Sequence, residues 1–196
     1  MIKKEQEQVE VESRAALRDW LTQNHTREAG VWLVTYKKHC GQKYVSYDDI
    51  VEEVICFGWI DSLARKLDDD RSMLWIAPRK PGSNWSRRNK EIVARLKAAG
   101  LLMPPGLAKI EKAQADGTWN ALDAVENLEV PPDLAEALAH YPDAASYFDA
   151  FPRSVKRGIL EWILNAKRPQ TRANRIAETA RLAQDNIRAN QWPRQR

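Results

Sequence analysis

Residues 46–78 read SYDDIVEEVICFGWIDSLARKLDDDRSMLWIAP, in which a helix pattern is followed directly by two strand patterns. Ser46 stands three residues before Asp49, a spacing typical of the cap that begins a helix. Apolar residues then recur at helical spacing as far as Phe57, and the next residue, Gly58, is a type that commonly ends a helix. We therefore predict a helix between Ser46 and Gly58.

Residues 63–78 predict a hairpin of two strands that turns near Asp69 and Asp70. Aspartates are frequent in turns because their side chains accept hydrogen bonds from the local backbone. The predicted register places Arg65 on the apolar face of the hairpin. A buried guanidinium needs a carboxylate partner, and Asp61 is close in sequence. We therefore expect Asp61 to pair with Arg65 or with Arg79.

The flanking patterns complete an α+β fold. Residues 13–24 predict a helix, and residues 30–38 are rich in β-branched and aromatic side chains and predict the first strand. After the hairpin, residues 86–100 and 105–117 predict two further helices. The sequence thus predicts a small antiparallel sheet of about three strands flanked by helices, followed by an all-helical C-terminal module.

Composition divides the chain into parts. Residues 1–12 carry many charges and are predicted to form a tail, and residues 13–122 are predicted to form the α+β domain. The proline pair at 131 and 132 marks a boundary, because the residue before a proline avoids the helical conformation. Residues 131–196 then form the predicted helical module. A chain of 196 residues is long enough for one good-sized core or two small ones.

The overall composition is typical of a soluble globular protein, with 43% hydrophobic and 30% charged residues. The N-terminus, MIKKEQEQVEVE, lacks the apolar stretch and the cleavage site of a secretory signal, which predicts a cytoplasmic location. The two cysteines, Cys40 and Cys56, form no CxxC motif and are predicted to be free thiols.

The net charge of +4 is distributed unevenly. Residues 79–97 and residues 153–175 each contain seven basic residues and one acid, whereas residues 111–149 contain nine acids and one lysine. Basic segments of this kind are typical of phosphate binding, and an acidic segment attracts cationic partners. For the C-terminal basic segment, a solvated helix face is the commoner explanation.

A candidate ligand site centres on the segment that joins the hairpin to the next helix. This segment carries two cations and an indole ahead of a helix N-terminus, whose free N–H groups can hold an anion. The alternative is a plain strand-to-helix connection, with Ser86 or Ser83 as the helix cap and Trp85 as a core anchor. The predicted ligand-binding residues are Trp59, Asp61, Arg65, Arg79, Lys80, Trp85, Ser86 and Asn89.

A nucleic-acid interface is a second candidate. The chain has eight tryptophans, and aromatic rings interleaved with arginines can stack on bases. A small sheet also needs large apolar side chains to close its core, so the tryptophans alone do not decide between the two roles. The residues predicted to contact nucleic acid are Arg87, Arg88, Lys167, Arg168, Arg172 and Arg175.

Motifs of catalysis and metal binding are absent from the sequence. It contains no GxSxG, HExxH, P-loop or dinucleotide fingerprint. The run from Asp68 to Asp70 lacks the alternating ligands and the glycine of a calcium loop. His39 and Cys40 are neighbours, but two residues alone do not define a zinc site. The sequence therefore predicts no metal and no cofactor, and it favours a protein that is not an enzyme.

Several motifs together resemble a known family. In order, VWLVTYKK, CFGWIDS, KLDDDR, APRKPGSNWS, GLAKIEKAQADGTW and FPRSVKRGILEWILNAKRPQTRANRI are similar to the bacterial YdeI/OmpD-associated family, also called bacteriocin-protection proteins. The resemblance covers residues 13–185, and the stretch from Pro131 is similar to the part that usually defines the family.

The resemblance implies a stress-tolerance or interaction protein and brings no catalytic residues. Some members are linked to tolerance of cationic antimicrobial peptides or of oxidative stress, and one branch is linked to an outer-membrane porin. The N-terminus shows no export signal, in which it departs from the porin branch, and whether the porin association applies to this chain stays open.

Three functions of different classes remain open. The first is a non-enzymatic stress-tolerance protein with an unidentified protein or peptide partner, which could be a cationic peptide bound by residues 111–149. The second is nucleic-acid binding by residues 79–97 and 153–175. The third is a small anionic-ligand binder or enzyme with a pocket near Asp61 and Arg79.

Overall fold

The computed structural model of the protein describes residues 6–191, and the chain divides into two compact units between Asn120 and Ala121. We call them the N-terminal unit and the C-terminal unit. The first combines a sheet with helices and the second is helical, which confirms the predicted α+β class. Five residues at the start of the predicted tail and five at the end of the predicted helical module lie outside the described residues.

Among the described residues of the N-terminal unit, the sheet has four strands, β1 (Gln8–Glu10), β2 (Val31–Tyr36), β3 (Trp59–Lys66) and β4 (Arg71–Pro78). Their order across the sheet is β1-β2-β4-β3, with β1 parallel to β2 and the other neighbours antiparallel. The sheet is therefore mixed and has one strand more than predicted. The extra strand, β1, lies in the segment that is predicted to be a charged tail. The sequence does not predict this strand because only one of its three residues is apolar.

The helices of the N-terminal unit are α1 (Arg14–Asn24), α2 (Tyr47–Cys56), α3 (Arg87–Ala98) and α4 (Pro104–Ala115), with a 3-10 helix at Lys38–Lys43. The hydroxyls of Ser13, Ser46 and Ser86 each accept a hydrogen bond from the backbone N–H three residues further on. These bonds satisfy N–H groups that have no partner within the helix. The predicted starts of α1, α2 and α3 are thus confirmed.

The turn between β3 and β4 is built by Asp68. Its Oδ1 accepts hydrogen bonds from the backbone N–H groups of Asp70 and Arg71, at 3.0 Å and 2.6 Å. This confirms the predicted hairpin and the assignment of the aspartate run to turn chemistry.

The register of β3 departs from the prediction after Asp61. The pairing with β4 shifts between Asp61 and Ala64, and β3 is the edge strand of the sheet. Leu63 is therefore 61% exposed. Arg65 is exposed as well, with its guanidinium carbon 4.7 Å from the centroid of the Trp32 ring. The predicted buried position of Arg65 and its pairing with Asp61 are wrong, because a bulge changes which residues face the core.

The C-terminal unit contains α5 (Asp123–Glu126), α6 (Pro132–Ala139), α7 (Ala144–Ala150), α8 (Arg153–Leu164) and α9 (Pro169–Gln184). Helix α9 packs against α6, α7 and α8. Apolar side chains from all five helices form a separate core, in which Leu134, Phe148 and Ile159 are fully buried. Within residues 6–191, none of the helices combines the length and the apolar character that a membrane crossing requires.

Candidate anion-binding site

Arg79 follows β4 directly and is only 2% exposed. Its backbone N–H donates to the carbonyl oxygen of Gly58 at 3.0 Å, in the turn between α2 and β3. Gly58 has a φ of +72°, which favours glycine. The guanidinium of Arg79 lies over the Trp85 ring, with 3.7 Å between its central carbon and the ring centroid. A turn and an aromatic ring therefore hold this cation inside the N-terminal unit.

The buried guanidinium has fewer hydrogen bonds than it can make. Nη1 of Arg79 donates to the carbonyl oxygen of Asn84 at 2.9 Å. Nε and Nη2 have no hydrogen-bond partner among residues 6–191. A buried polar group without a partner costs about 1–3 kcal/mol, and more when it is charged. Nε and Nη2 share one edge of the planar group, and such an edge binds a carboxylate or a phosphate with two parallel bonds.

Within residues 6–191, no carboxylate forms a hydrogen bond or an ion pair with Arg79. Burial lowers the pKa of Arg79 to about 10, while the charge of Asp61 acts in the opposite direction. Asp61 itself accepts a hydrogen bond from the Tyr47 hydroxyl at 2.7 Å, and within residues 6–191 it makes no ion pair. The predicted pairing of Asp61 with Arg79 is therefore reduced to a charge interaction without contact. Arg79 stays protonated at neutral pH.

Two cavities border Arg79. The small cavity has a volume of about 20 Å³, room for a single water-sized occupant. The second, which we call the Arg79 cleft, is open and measures about 510 Å³. Its walls include the apolar side chains of Phe57, Trp75 and Pro105, and its charged lining residues besides Arg79 are the cations Arg27, Lys80 and Lys109 and the acid Glu28. The cleft can therefore hold an organic molecule with an apolar body next to a charged end.

Helix α4 brings two further cations to Arg79. Lys109 lines both cavities, and Lys112 lines the small cavity. The acid in the wall of the small cavity is Asp116, whose carboxylate accepts hydrogen bonds from Thr118 N–H and Oγ1 at 3.1 Å and 2.6 Å. These bonds hold the pKa of Asp116 below its usual value. Basic side chains thus dominate the wall of the small cavity.

The two lysines of α4 are not predicted from the sequence. Their spacing of three residues places both lysines on one helix face, and a sequence-based prediction could have used this spacing. That spacing does not reveal which part of the protein the face meets.

A close backbone contact holds α4 in place. The N–H of Met103 donates to the carbonyl oxygen of Cys56 at 3.2 Å, where α2 ends. Gly106 lies so close to the same turn that an added Cβ would be 2.2 Å from the Cys56 oxygen. Only a residue without a side chain fits there, so Gly106 sets the position of the lysines relative to Arg79.

Gly106→Ala is expected to lower the free energy of unfolding of the N-terminal unit by about 3 kcal/mol, because the contact is with backbone atoms that cannot turn aside. In Gly158→Ala, the same change inside α8, no atom of residues 6–191 outside the neighbouring backbone of α8 lies within 4 Å of the new Cβ. This variant should instead stabilise the C-terminal unit by about 0.5–1 kcal/mol. Urea unfolding of both variants measures these changes in the free energy of unfolding. Changes of the same sign in the two variants would contradict the tight packing of α4.

The structure brings together three of the predicted ligand-binding residues. Arg79, Lys80 and Trp85 line the small cavity. Trp59 is part of the core and donates from Nε1 to the carbonyl oxygen of His25 at 3.1 Å. The Ser86 hydroxyl accepts a hydrogen bond from the N–H of Asn89. These two residues therefore cap α3, which is the alternative to a role in ligand binding. Arg65 stacks on Trp32 instead.

Several residues predicted to contact nucleic acid are engaged inside their own units. Arg88 forms an ion pair with Asp48. Arg175 donates to the carbonyl oxygen of Trp162, and its guanidinium carbon lies 4.9 Å from the centroid of that ring. Exposed positions are held by Arg87, Lys167 and Arg168. These placements do not test nucleic-acid binding, which stays a prediction.

The acidic and basic segments of the C-terminal unit partly neutralise each other. Glu126 pairs with Arg157 at 2.9 Å, and Asp133 pairs with Arg172 at 2.7 Å. The Arg172 guanidinium holds the pKa of Asp133 below its usual value. Residues 111–149 are therefore less available to a cationic partner than their charge count indicates.

Comparison with known proteins gives two family matches. Residues 9–109 match a domain of unknown function, DUF8412. Residues 127–186 match the family described as bacteriocin-protection, YdeI or OmpD-associated, which confirms the predicted resemblance over this part of the chain. No curated protein and no solved structure matches the chain.

Proposed function

Because the chain belongs to the DUF8412 family through residues 9–109 and carries a bacteriocin-protection, YdeI or OmpD-associated domain at residues 127–186, we propose that it is a stress-tolerance protein that binds a small organic anion. The proposed binding site is Arg79 with the adjoining cleft, and because Nε and Nη2 are themselves buried, binding requires a local rearrangement that exposes this edge to the cleft. The observation that carries this proposal is the buried guanidinium whose Nε and Nη2 have no partner within residues 6–191.

A bound anion supplies what Arg79 lacks. Buried charges in proteins are normally paired, and an unpaired one is costly. A carboxylate or phosphate at the free edge of the guanidinium provides two charge-assisted hydrogen bonds and a counter-charge together. The pKa of Arg79 is lowered to about 10 because burial removes the cation from water. The energetic cost of leaving Nε and Nη2 without a partner has the same cause.

The cleft indicates the class of ligand. Its apolar wall at Phe57, Trp75 and Pro105 favours a molecule with a hydrophobic or aromatic body. Lys80 and Lys109 add positive charge beside Arg79. We therefore propose a carboxylate- or phosphate-bearing organic molecule of modest size as the ligand.

The same site favours a binding role in the bacteriocin protection that the family description names. A cationic cleft repels a cationic peptide, so the protein would act through an anionic molecule and not by capturing the peptide there. Capture of a cationic peptide by residues 111–149 has less support, because Glu126 and Asp133 are paired within their own unit. The predicted cytoplasmic location remains part of the proposal.

Replacement of Lys109 and Lys112 by Ala tests the proposal. The double variant is expected to bind inorganic phosphate and acetate about tenfold more weakly, since each lost charge contributes less than about 1 kcal/mol at a partly exposed site. Titration calorimetry at constant ionic strength is the measurement.

Lys97→Ala is the matched control, because Lys97 is an exposed lysine of α3 that lines neither cavity. This variant should bind like the parent. Equal affinity of the double variant and the parent would refute a role for α4 in the site. If phosphate binds and acetate does not, the ligand class narrows to phosphates.

A further inference from the structure

We propose that His39, Cys40 and Asp70 form a binding site for a divalent transition-metal ion, with Zn²⁺ as the best match. The ring nitrogen, the thiol sulfur and the carboxylate oxygen that these residues offer all lie within 4.8 Å of one another. The site is in the N-terminal unit, where the 3-10 helix meets the turn between β3 and β4.

The three donor atoms are close to the spacing that zinc requires. His39 Nε2 is 3.0 Å from Asp70 Oδ1. In a tetrahedral zinc site, bonds of about 2.0–2.3 Å place the donor atoms about 3.5 Å apart. His39 and Asp70 are exposed and Cys40 is half-buried. His39 and Asp70 are hydrogen-bonded to each other and the Cys40 thiol donates to the Asp70 carbonyl oxygen at 3.6 Å, so an ion that binds the three donors replaces these two contacts.

The backbone around the site is held in place by several hydrogen bonds. The N–H of Lys37 donates to the carbonyl oxygen of Asp70 at 2.7 Å. The Lys37 ammonium donates to the carbonyl oxygens of Asp68 and Asp69 at 2.7 Å and 2.8 Å. The Cys40 N–H donates to the Lys37 carbonyl oxygen at 2.9 Å. These bonds join the two segments that supply the ligands, which reduces the entropy lost on metal binding.

The ligand types select the ion. One sulfur, one nitrogen and one oxygen suit Zn²⁺ and similar ions, whereas Mg²⁺ and Ca²⁺ require oxygen ligands throughout. Three protein ligands leave a fourth position for water. The Cys40 thiol loses its proton when the metal binds, so binding releases a proton.

The adjacent His39 and Cys40 do not define a zinc site in the sequence. Asp70 stands 30 residues after Cys40 along the chain and reaches it through the fold of the hairpin. This placement completes a ligand set of three residues that is not contiguous in the sequence.

Titration of the full chain with Co²⁺ and Zn²⁺ tests the site. Cobalt bound to a thiolate gives a near-ultraviolet charge-transfer band, and we expect this band to saturate at one equivalent. Zn²⁺ should displace Co²⁺ and abolish the band, because Zn²⁺ has no geometric preference from its d electrons and loses no ligand-field stabilisation in a tetrahedral site. Cys40→Ser should remove the band and weaken Zn²⁺ binding by at least about tenfold.

Cys56→Ser is the matched control, because Cys56 is the other free cysteine and is buried. The control should keep the band, as should Arg79→Met, so failure of the metal site is distinguishable from failure of the anion site. A band that survives Cys40→Ser, or no band in the parent, would overturn the proposal. Circular dichroism of Cys40→Ser establishes that the variant is folded, and His39→Ala must show the same loss as a second test.

Discussion

Arg79→Met is expected to abolish anion binding while leaving the N-terminal unit at least as stable as the parent. Inorganic phosphate should bind the parent with a dissociation constant of about 1 mM, as one buried guanidinium with nearby lysines permits. The variant should show no saturable binding. Its free energy of unfolding should rise by between about 0 and 2 kcal/mol.

The stability gain follows from what the substitution removes. Methionine fills similar space with apolar atoms, so the penalty of the unpaired Nε and Nη2 disappears. Two favourable contacts are lost with it, the hydrogen bond to the Asn84 carbonyl oxygen and the stacking on Trp85. These losses offset part of the gain.

Urea unfolding and phosphate titration of the same preparation measure both effects. Arg79→Lys is the control, since it keeps the charge and lacks the two-pronged edge, and it should bind with intermediate affinity. A loss of more than about 3 kcal/mol in Arg79→Met together with unchanged phosphate binding would mean that Arg79 is purely structural.

Glu53→Ala is expected to lower the free energy of unfolding of the N-terminal unit by about 3 kcal/mol. Glu53 is 1% exposed. Its two oxygens accept hydrogen bonds from Arg14 Nε at 2.7 Å and Arg18 Nη1 at 2.8 Å, which join α1 to α2. Removing the carboxylate leaves two partly buried guanidinium groups without this partner and opens a void between the helices.

The matched control is Asp48→Ala in the same helix. Asp48 forms an exposed ion pair with Arg88, and its loss should cost less than about 1 kcal/mol. Tryptophan fluorescence suits the measurement, because six of the eight tryptophans lie in residues 1–120. Equal effects of Glu53→Ala and Asp48→Ala would contradict the role of Glu53 in holding α1 against α2.

Local patterns predicted most of the N-terminal unit. The capping serines and the apolar stripe of α2 are short-range features, and Ser13, Ser46 and Ser86 are caps as predicted. The strand β1 and the bulge in β3 escaped prediction for a different reason. Strand β1 is defined by its partner β2, and the bulge by its pairing with β4, so neither is encoded in a local alternation of residue types.

The candidate site likewise combines residues that local sequence predicts with residues that only the fold brings together. Arg79, Lys80 and Trp85 are neighbours in sequence and were predicted together. Lys109 joins them because Gly106 lets α4 approach the end of α2, a contact between residues 50 positions apart. The unpaired edge of the guanidinium is visible only in three dimensions.

The fold also changes the interpretation of the charged segments as binding surfaces. Residues 153–175 and 111–149 look like independent binding surfaces in the sequence. In the C-terminal unit, Arg157 and Arg172 of the basic segment pair with Glu126 and Asp133 of the acidic one. A linear count of charge cannot distinguish a surface for a partner from a set of ion pairs inside one unit.

The Nε–H resonance of Arg79 reports on the proposed site most directly. It can be identified in a nitrogen-edited proton spectrum by its absence from Arg79→Met. On titration with phosphate or acetate at constant ionic strength, this resonance should move in a saturable way, because Nε gains an acceptor that it lacks within residues 6–191. A resonance that stays fixed while either anion is raised well above 1 mM, about the affinity expected for one such site, would contradict anion binding at Arg79.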